Sequence, residues 1–137
     1  MATWLMKTEP ATWSWDDQVK KGVEHWDGVR NFQAANFMRA MKVGDRAFFY
    51  HSGEERRIVG VVAIARPFYP DPTDETGRFG MVDVKTDRPL VTPVSLQAIK
   101  AEPRLNDLLL VRQSRLSVMP VPPEAWRLIC AMGGTKP

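Results

Sequence analysis

The sequence predicts an α/β domain, mostly β, with a curled sheet and short helices around it. Three observations point there. Five or six short stretches have strand character, small helical segments sit between them, and few connections are long enough for the crossovers of a doubly wound sheet. A length of 137 residues with 44% hydrophobic and 26% charged content suits one globular unit, so residues 1–137 are expected to form a single domain.

Thr3 to Thr8 is a short apolar run stopped by Glu9-Pro10, hence a first strand entering a turn. Ser14 with Asp17 three residues later reads as a weakened capping box, with Trp15 and Val19 on one helical side and Gly22 as the stop. A loop through Asp27-Gly28 follows. Asn31 then caps a helix reaching about Met41, whose Ala34, Phe37, Met38 and Met41 form an apolar stripe. Asp45 to Ser52 and Ile58 to Ile64 flank a polar turn and read as a hairpin. Arg66 to Thr73 is rich in proline, which lacks the amide donor a central strand needs, so a surface loop is expected there. Met81 to Val84 reads as a strand and Ser95 to Ala101 as a short helix. Arg104 to Leu110 suits either helix or loop. Leu116 to Val121 is a late strand, and Pro123 opens a last helix through Trp126 and Ile129, closed by Gly133-Gly134.

Composition excludes several classes. No apolar run approaches membrane-spanning length, and no membrane partner is expected. Lys7 and Glu9 interrupt the N-terminus, so no secretory leader is visible and a cytoplasmic location is expected. The single Cys130 has no internal disulfide partner. Glycine-rich dinucleotide and phosphate-loop signatures are missing, as is a nucleophile elbow. Two histidines and one cysteine do not make a zinc set, and the stretch from Asp71 carries Thr76 where a calcium loop needs glycine. Neither a metal nor another cofactor is expected. Gly77-Arg78-Phe79-Gly80 has the spacing of a KH clamp without the helices one requires.

The net charge of +3 is unevenly spread. Residues 30–66 hold seven Lys or Arg against three Asp or Glu, and residues 108–137 hold four against one. A fold that joined Arg30, Arg39, Arg112 and Arg115 on one face would attract phosphates, whereas scattered arginines would merely be solvated. Trp26-Asp27-Gly28-Val29-Arg30-Asn31 unites a π-face, an acceptor, a flexible glycine, a guanidinium and an amide, a set suited to a flat heteroaromatic ligand. The same residues also satisfy a purely structural reading, with Trp26 in the core, Asp27-Gly28 a turn and Asn31 a cap. His51-Ser52, with Asp27 to orient the imidazole, is the one place a metal-free hydrolase of a nucleobase or nucleoside could be imagined. Neighbours on a strand point to opposite faces, which argues against it.

Five stretches in order carry a family resemblance: Trp4 to Pro10, Trp26 to Ala34, Phe49 to Ser52, Tyr69 to Thr73 and Ser114 to Val121. Together they resemble the signature blocks of the EVE-domain family over nearly the whole chain. That resemblance implies a PUA-like pseudo-barrel with short peripheral helices, related to YTH and ASCH domains. It also implies a non-enzymatic reader that binds a modified cytosine or adenine in DNA or RNA through an aromatic pocket. Thr8, Phe32 and Ala35 stand where serine, tyrosine and arginine are commoner in the family, and the segment from Thr73 to Met81 is shorter than usual. The pocket so implied lies between Lys7 and Thr8, the Trp26 to Asn31 loop, Tyr50, His51 and Ser52, and Leu116, Ser117 and Val118. Trp26 would stack on the base, Asn31 and backbone near Ser117 would read its edge, and Val29 and Leu116 would leave room for a methyl group. Arg30 and Arg115 would meet flanking phosphates. A small-ligand or protein-interaction module remains a third reading.

Overall fold

The computed structural model describes residues 1–137. Six strands form one mixed sheet in the order β2-β5-β4-β3-β1-β6: β1 (Thr3–Thr8), β2 (Val23–Trp26), β3 (Arg46–His51), β4 (Arg57–Pro70), β5 (Gly80–Ser95) and β6 (Val118–Pro120). Five short helices surround it: α1 (Trp15–Lys21), α2 (Phe32–Ala40), α3 (Leu96–Lys100), α4 (Leu109–Arg112) and α5 (Pro123–Met132). No helix is long and apolar enough to cross a membrane.

Local signals account for the helix ends. The capping box of α1 is complete, with the Asp17 N–H donating to Ser14 Oγ and the Ser14 N–H donating to the Asp17 carboxylate. Asn31 Oδ1 accepts from the Ala34 N–H at 2.9 Å and opens α2, whose Ala34, Met38 and Met41 are buried. In α1, however, Gln18 rather than Val19 faces inward. Its amide nitrogen donates to the Gly22 and Val84 carbonyls and its oxygen accepts from Trp13 Nε1, so every polar atom is satisfied while Val19 stays half exposed.

Two expectations give way to long-range pairing. Val23–Trp26 is a strand rather than loop, held antiparallel to β5 from Val23↔Lys85 to Trp26↔Val82. The proline-rich segment continues β4 to Pro70 instead of leaving the sheet. Beyond Ile64, which still bonds Asp45 and Gly44 ahead of β3, β4 has only β5 beside it, and register shifts at Ile64/Arg66 and Arg66/Tyr69 take up the irregularity, so no ladder bond is lost to Pro67. Pro89 and Pro93 likewise lie where β5 has left β2 behind. A parallel pair also exists: β1 and β3 align from Thr3↔Arg46 to Thr8↔His51, and the connection between them carries α1, β2 and α2.

One contiguous core runs through the sheet and helices. Phe48 stacks on Trp126 at 3.9 Å between centroids, and Phe49 receives Trp15 and Trp26 edge-on at 5.2 and 5.6 Å. Gly60 permits the Trp15 indole to lie against β4, since a Cβ there would collide with the ring. Gly60→Ala is expected to destabilise the fold by ~1–3 kcal/mol, read as a lower urea midpoint at unchanged slope.

Candidate nucleic-acid interface

A hollow of about 470 Å³ opens where the end of β1, the turn before α1, strand β2 and the β2–α2 loop converge. Its apolar walls are Trp13, Trp26 and Val29; the remainder is polar. Lys7 and Thr8 come from β1, Glu24 and His25 from β2, and Asp27, Arg30 and Asn31 from the loop, with Ser117 closing the side next to β6. Space of this size accommodates one nucleobase.

The loop is held by one buried carboxylate. Asp71, with no exposed side-chain surface, accepts from the Gly28 N–H at 2.9 Å, Arg30 Nη1 at 3.0 Å, the Thr73 N–H at 2.8 Å and Thr73 Oγ1 at 2.6 Å. Burial pushes its pKa up, yet these four donors outweigh burial and hold the carboxyl far below the usual carboxylate range. Gly28 sits at φ +78°, which lets the chain turn its N–H toward Asp71. Arg30 Nη2 also donates to Thr73 Oγ1 at 2.9 Å, so the guanidinium braces the loop instead of standing free for a phosphate.

The anticipated residues separate into two groups. Lys7, Thr8, Trp26, Val29, Arg30, Asn31 and Ser117 do line the hollow. Trp26 is only 7% exposed and packs edge-on against Phe49, so it is a core residue offering a wall rather than a free indole plane. Asn31 both caps α2 and lines the hollow, its oxygen committed to Ala34 while its amide N–H₂ group is in no hydrogen bond within the chain. Lys7 Nζ donates to the Ser114 carbonyl at 2.9 Å and lies 5.5 Å from the Tyr50 ring; burial lowers its pKa.

Tyr50, His51, Ser52, Leu116, Val118 and Arg115 do not line it. Tyr50 and Val118 are buried in the core, and burial raises the Tyr50 pKa. Nε2 of His51 accepts the Trp15 N–H at 3.0 Å, satisfying a first-turn donor of α1, so its proton is on Nδ1, directed to Glu55 Oε1 at 3.0 Å. Ser52 Oγ turns to Glu9, and Asp27 faces His25 at 3.8 Å rather than His51, so the imagined relay is not assembled. Leu116 and Arg115 line a shallower cleft of about 320 Å³ with Gln33, Arg112 and Gln113, which meets the hollow at Asn31. Two wall elements had no sequence reading: Thr12-Trp13, hidden beside the Ser14 cap, and Glu24-His25, on a strand too short to show alternation.

Asp71→Asn is expected to lower the melting temperature at pH 7. Because the folded-state pKa is depressed, the carboxylate stabilises fully above its unfolded value of about 3.9 and loses that contribution as pH falls toward the folded value. Melting curves should therefore show a constant gap between the proteins from pH 7 to 5, narrowing below about pH 4.

Comparison with known proteins agrees with this architecture. The EVE domain family profile matches residues 2–132. Thymocyte nuclear protein 1 of Gallus gallus is 32% identical over 98% of this chain and 69% of its own length. That alignment runs over 173 positions against 137 residues here, so the relative carries insertions. The solved structure of Rpa0253 from Rhodopseudomonas palustris is 58% identical with a TM-score of 0.93, covering 98% of this chain and 94% of its own. Human THYN1, solved in complex with DNA containing 5-methylcytosine, is 31% identical with a TM-score of 0.91 and full coverage of both chains. The relatives are named as nuclear proteins, which overturns the cytoplasmic expectation. By sequence and by architecture, the chain belongs to the EVE-domain family.

Proposed function

We propose that this protein is a non-enzymatic reader of 5-methylcytosine-class bases in DNA, holding one extruded base in the hollow between Trp13 and Trp26. The observation that carries the reading is the hollow itself, of nucleobase size and with aromatic, apolar and hydrogen-bonding walls. The human relative in complex with 5-methylcytosine DNA supports the choice of ligand.

The walls suit a cytosine. Its exocyclic amine is a donor, and carboxylates at Glu24 and Asp27 are available to accept from it. Asn31 offers the complementary donor to a ring acceptor, since its own oxygen is committed to the helix. Val29 supplies an apolar surface for the methyl group. The cleft beyond Asn31, with Arg112 and exposed Arg115, continues the path for the flanking backbone.

Trp13 is the better probe of stacking, because removing Trp26 would open a core cavity and confound binding with stability. Trp13→Ala is expected to weaken binding of a fluorescein-labelled 5-methylcytosine oligonucleotide by about one to two decades, at ~1–3 kcal/mol per stacked base. Unchanged affinity in a folded variant would remove the stacking role. Wild-type protein should retain the methylated strand over the unmethylated one, with the base recovered intact by mass spectrometry. Conversion of the base, or preference for an N6-methyladenosine RNA of equal length, would replace the reading. Arg115→Ala should flatten the dependence of log Kd on log salt by about one phosphate equivalent, a slope change near 0.7–0.9.

A further inference from the structure

We propose that Phe32, resting on Phe79, is a second stacking platform that holds the nucleobase neighbouring the one in the hollow. The inference rests on the reading above and extends it from one base to the strand. Phe32 is the first residue of α2, directly after Asn31 at the edge of the hollow, and it is 59% exposed. It is the one aromatic among the exposed large hydrophobic residues, and packing does not require that exposure. Its ring is backed by Phe79 at 5.1 Å between centroids with a 34° tilt, which keeps one face presented outward and fixed.

The surroundings carry charge of the sign a strand needs. Arg39 Nη2 donates to the Arg78 carbonyl at 2.8 Å and its guanidinium lies 4.9 Å from the Phe68 ring, while the Arg78 side chain is exposed on the same loop as Phe79. Arg30 lies 5.7 Å from the Phe79 ring that backs Phe32, and an exposed aromatic with cations beside it is the arrangement that binds a single strand, with bases on rings and phosphates on cations. A protein ligand would find little apolar area beyond this one ring, whereas a base needs only its face. Extruding a base also leaves its neighbour unstacked, and an adjacent ring replaces the lost contact.

The test uses two ligands and two variants of the full chain. Free 5-methylcytidine fills only the hollow; a 5-methylcytosine oligonucleotide with 2-aminopurine on either side of the modified base also reports neighbour stacking by fluorescence quenching. Phe32→Ala should bind the nucleoside as wild type does, bind the oligonucleotide about tenfold more weakly, and leave 2-aminopurine unquenched. Phe32→Tyr should restore both affinity and quenching. Wild-type affinity and quenching in Phe32→Ala, with wild-type protein still binding the oligonucleotide, would overturn the platform and leave the hollow's role standing. Failure of wild-type protein to bind either ligand would overturn both readings.

Discussion

The site depends on a carboxylate that folding has removed from water. An unpartnered Asp71 would be costly to bury, and the cost is offset only while four donors from two segments converge on it. Two of those donors belong to the turn at the end of β4 and two to the loop that leaves β2. The carboxylate therefore joins the far end of the long β4–β5 hairpin to the loop carrying Val29 and Asn31. Gly28 turns its amide inward, Arg30 is drawn across to Thr73, and Asn31 arrives at the N-terminus of α2 already oriented by its cap. The loop is thus tied at Gly28, Arg30 and Asn31, two of these ties reaching the buried Asp71 and the third capping α2.

Trp26 shows how closely core and site are joined. Its indole meets Phe49 edge-on, and Phe49 in turn takes Trp15, whose backbone N–H is held by His51. The residue expected to stack on a base thus belongs to the aromatic cluster that holds Trp15 and the start of α1. Trp13, which also lines the hollow, is tied through Nε1 to buried Gln18, which is itself bonded to β5. The two aromatic walls are positioned separately, Trp26 by packing on Phe49 and Trp13 by its bond to Gln18, so neither depends on a ligand for its orientation.

What was legible in the sequence followed the range of the interaction. Caps and stripes are local, and Ser14, Asn31 and the Ala34 to Met41 spacing were readable because their partners lie within four residues. The stop of β4 is not, because Pro67 is tolerated by virtue of where β3 begins, a fact encoded far from the proline. Four-residue β2 is a strand only because β5 passes beside it. In the site, the Trp26 to Asn31 block was legible as chemistry, but Arg30 could be recognised as a brace only once Asp71, more than forty residues away, was beside it. His51 is expected at the pocket for the same reason: its place at the end of β3 is visible in the sequence, whereas the Trp15 amide that occupies its lone pair is not.

The energetics assign different tasks to different parts of this surface. Burying one methyl group is worth ~0.8 kcal/mol, about fourfold in affinity, so in the proposed reading Val29 alone would discriminate weakly between methylated and plain cytosine. Affinity for a strand has to come from elsewhere, from stacking at ~1–3 kcal/mol per base and from phosphates neutralised by exposed arginines. These terms are blind to the methyl group. A reader that relied on them without restraint would bind any single strand, and a modest net charge of +3 limits that background. Sharper selection has to come from the polar walls, because a base presenting the wrong edge to Asn31, Glu24 and Asp27 leaves buried groups unpaired, and that penalty exceeds what one extra contact returns. In the proposed reading, the hollow sets which base is accepted, and the basic cleft beside it sets how long the strand stays.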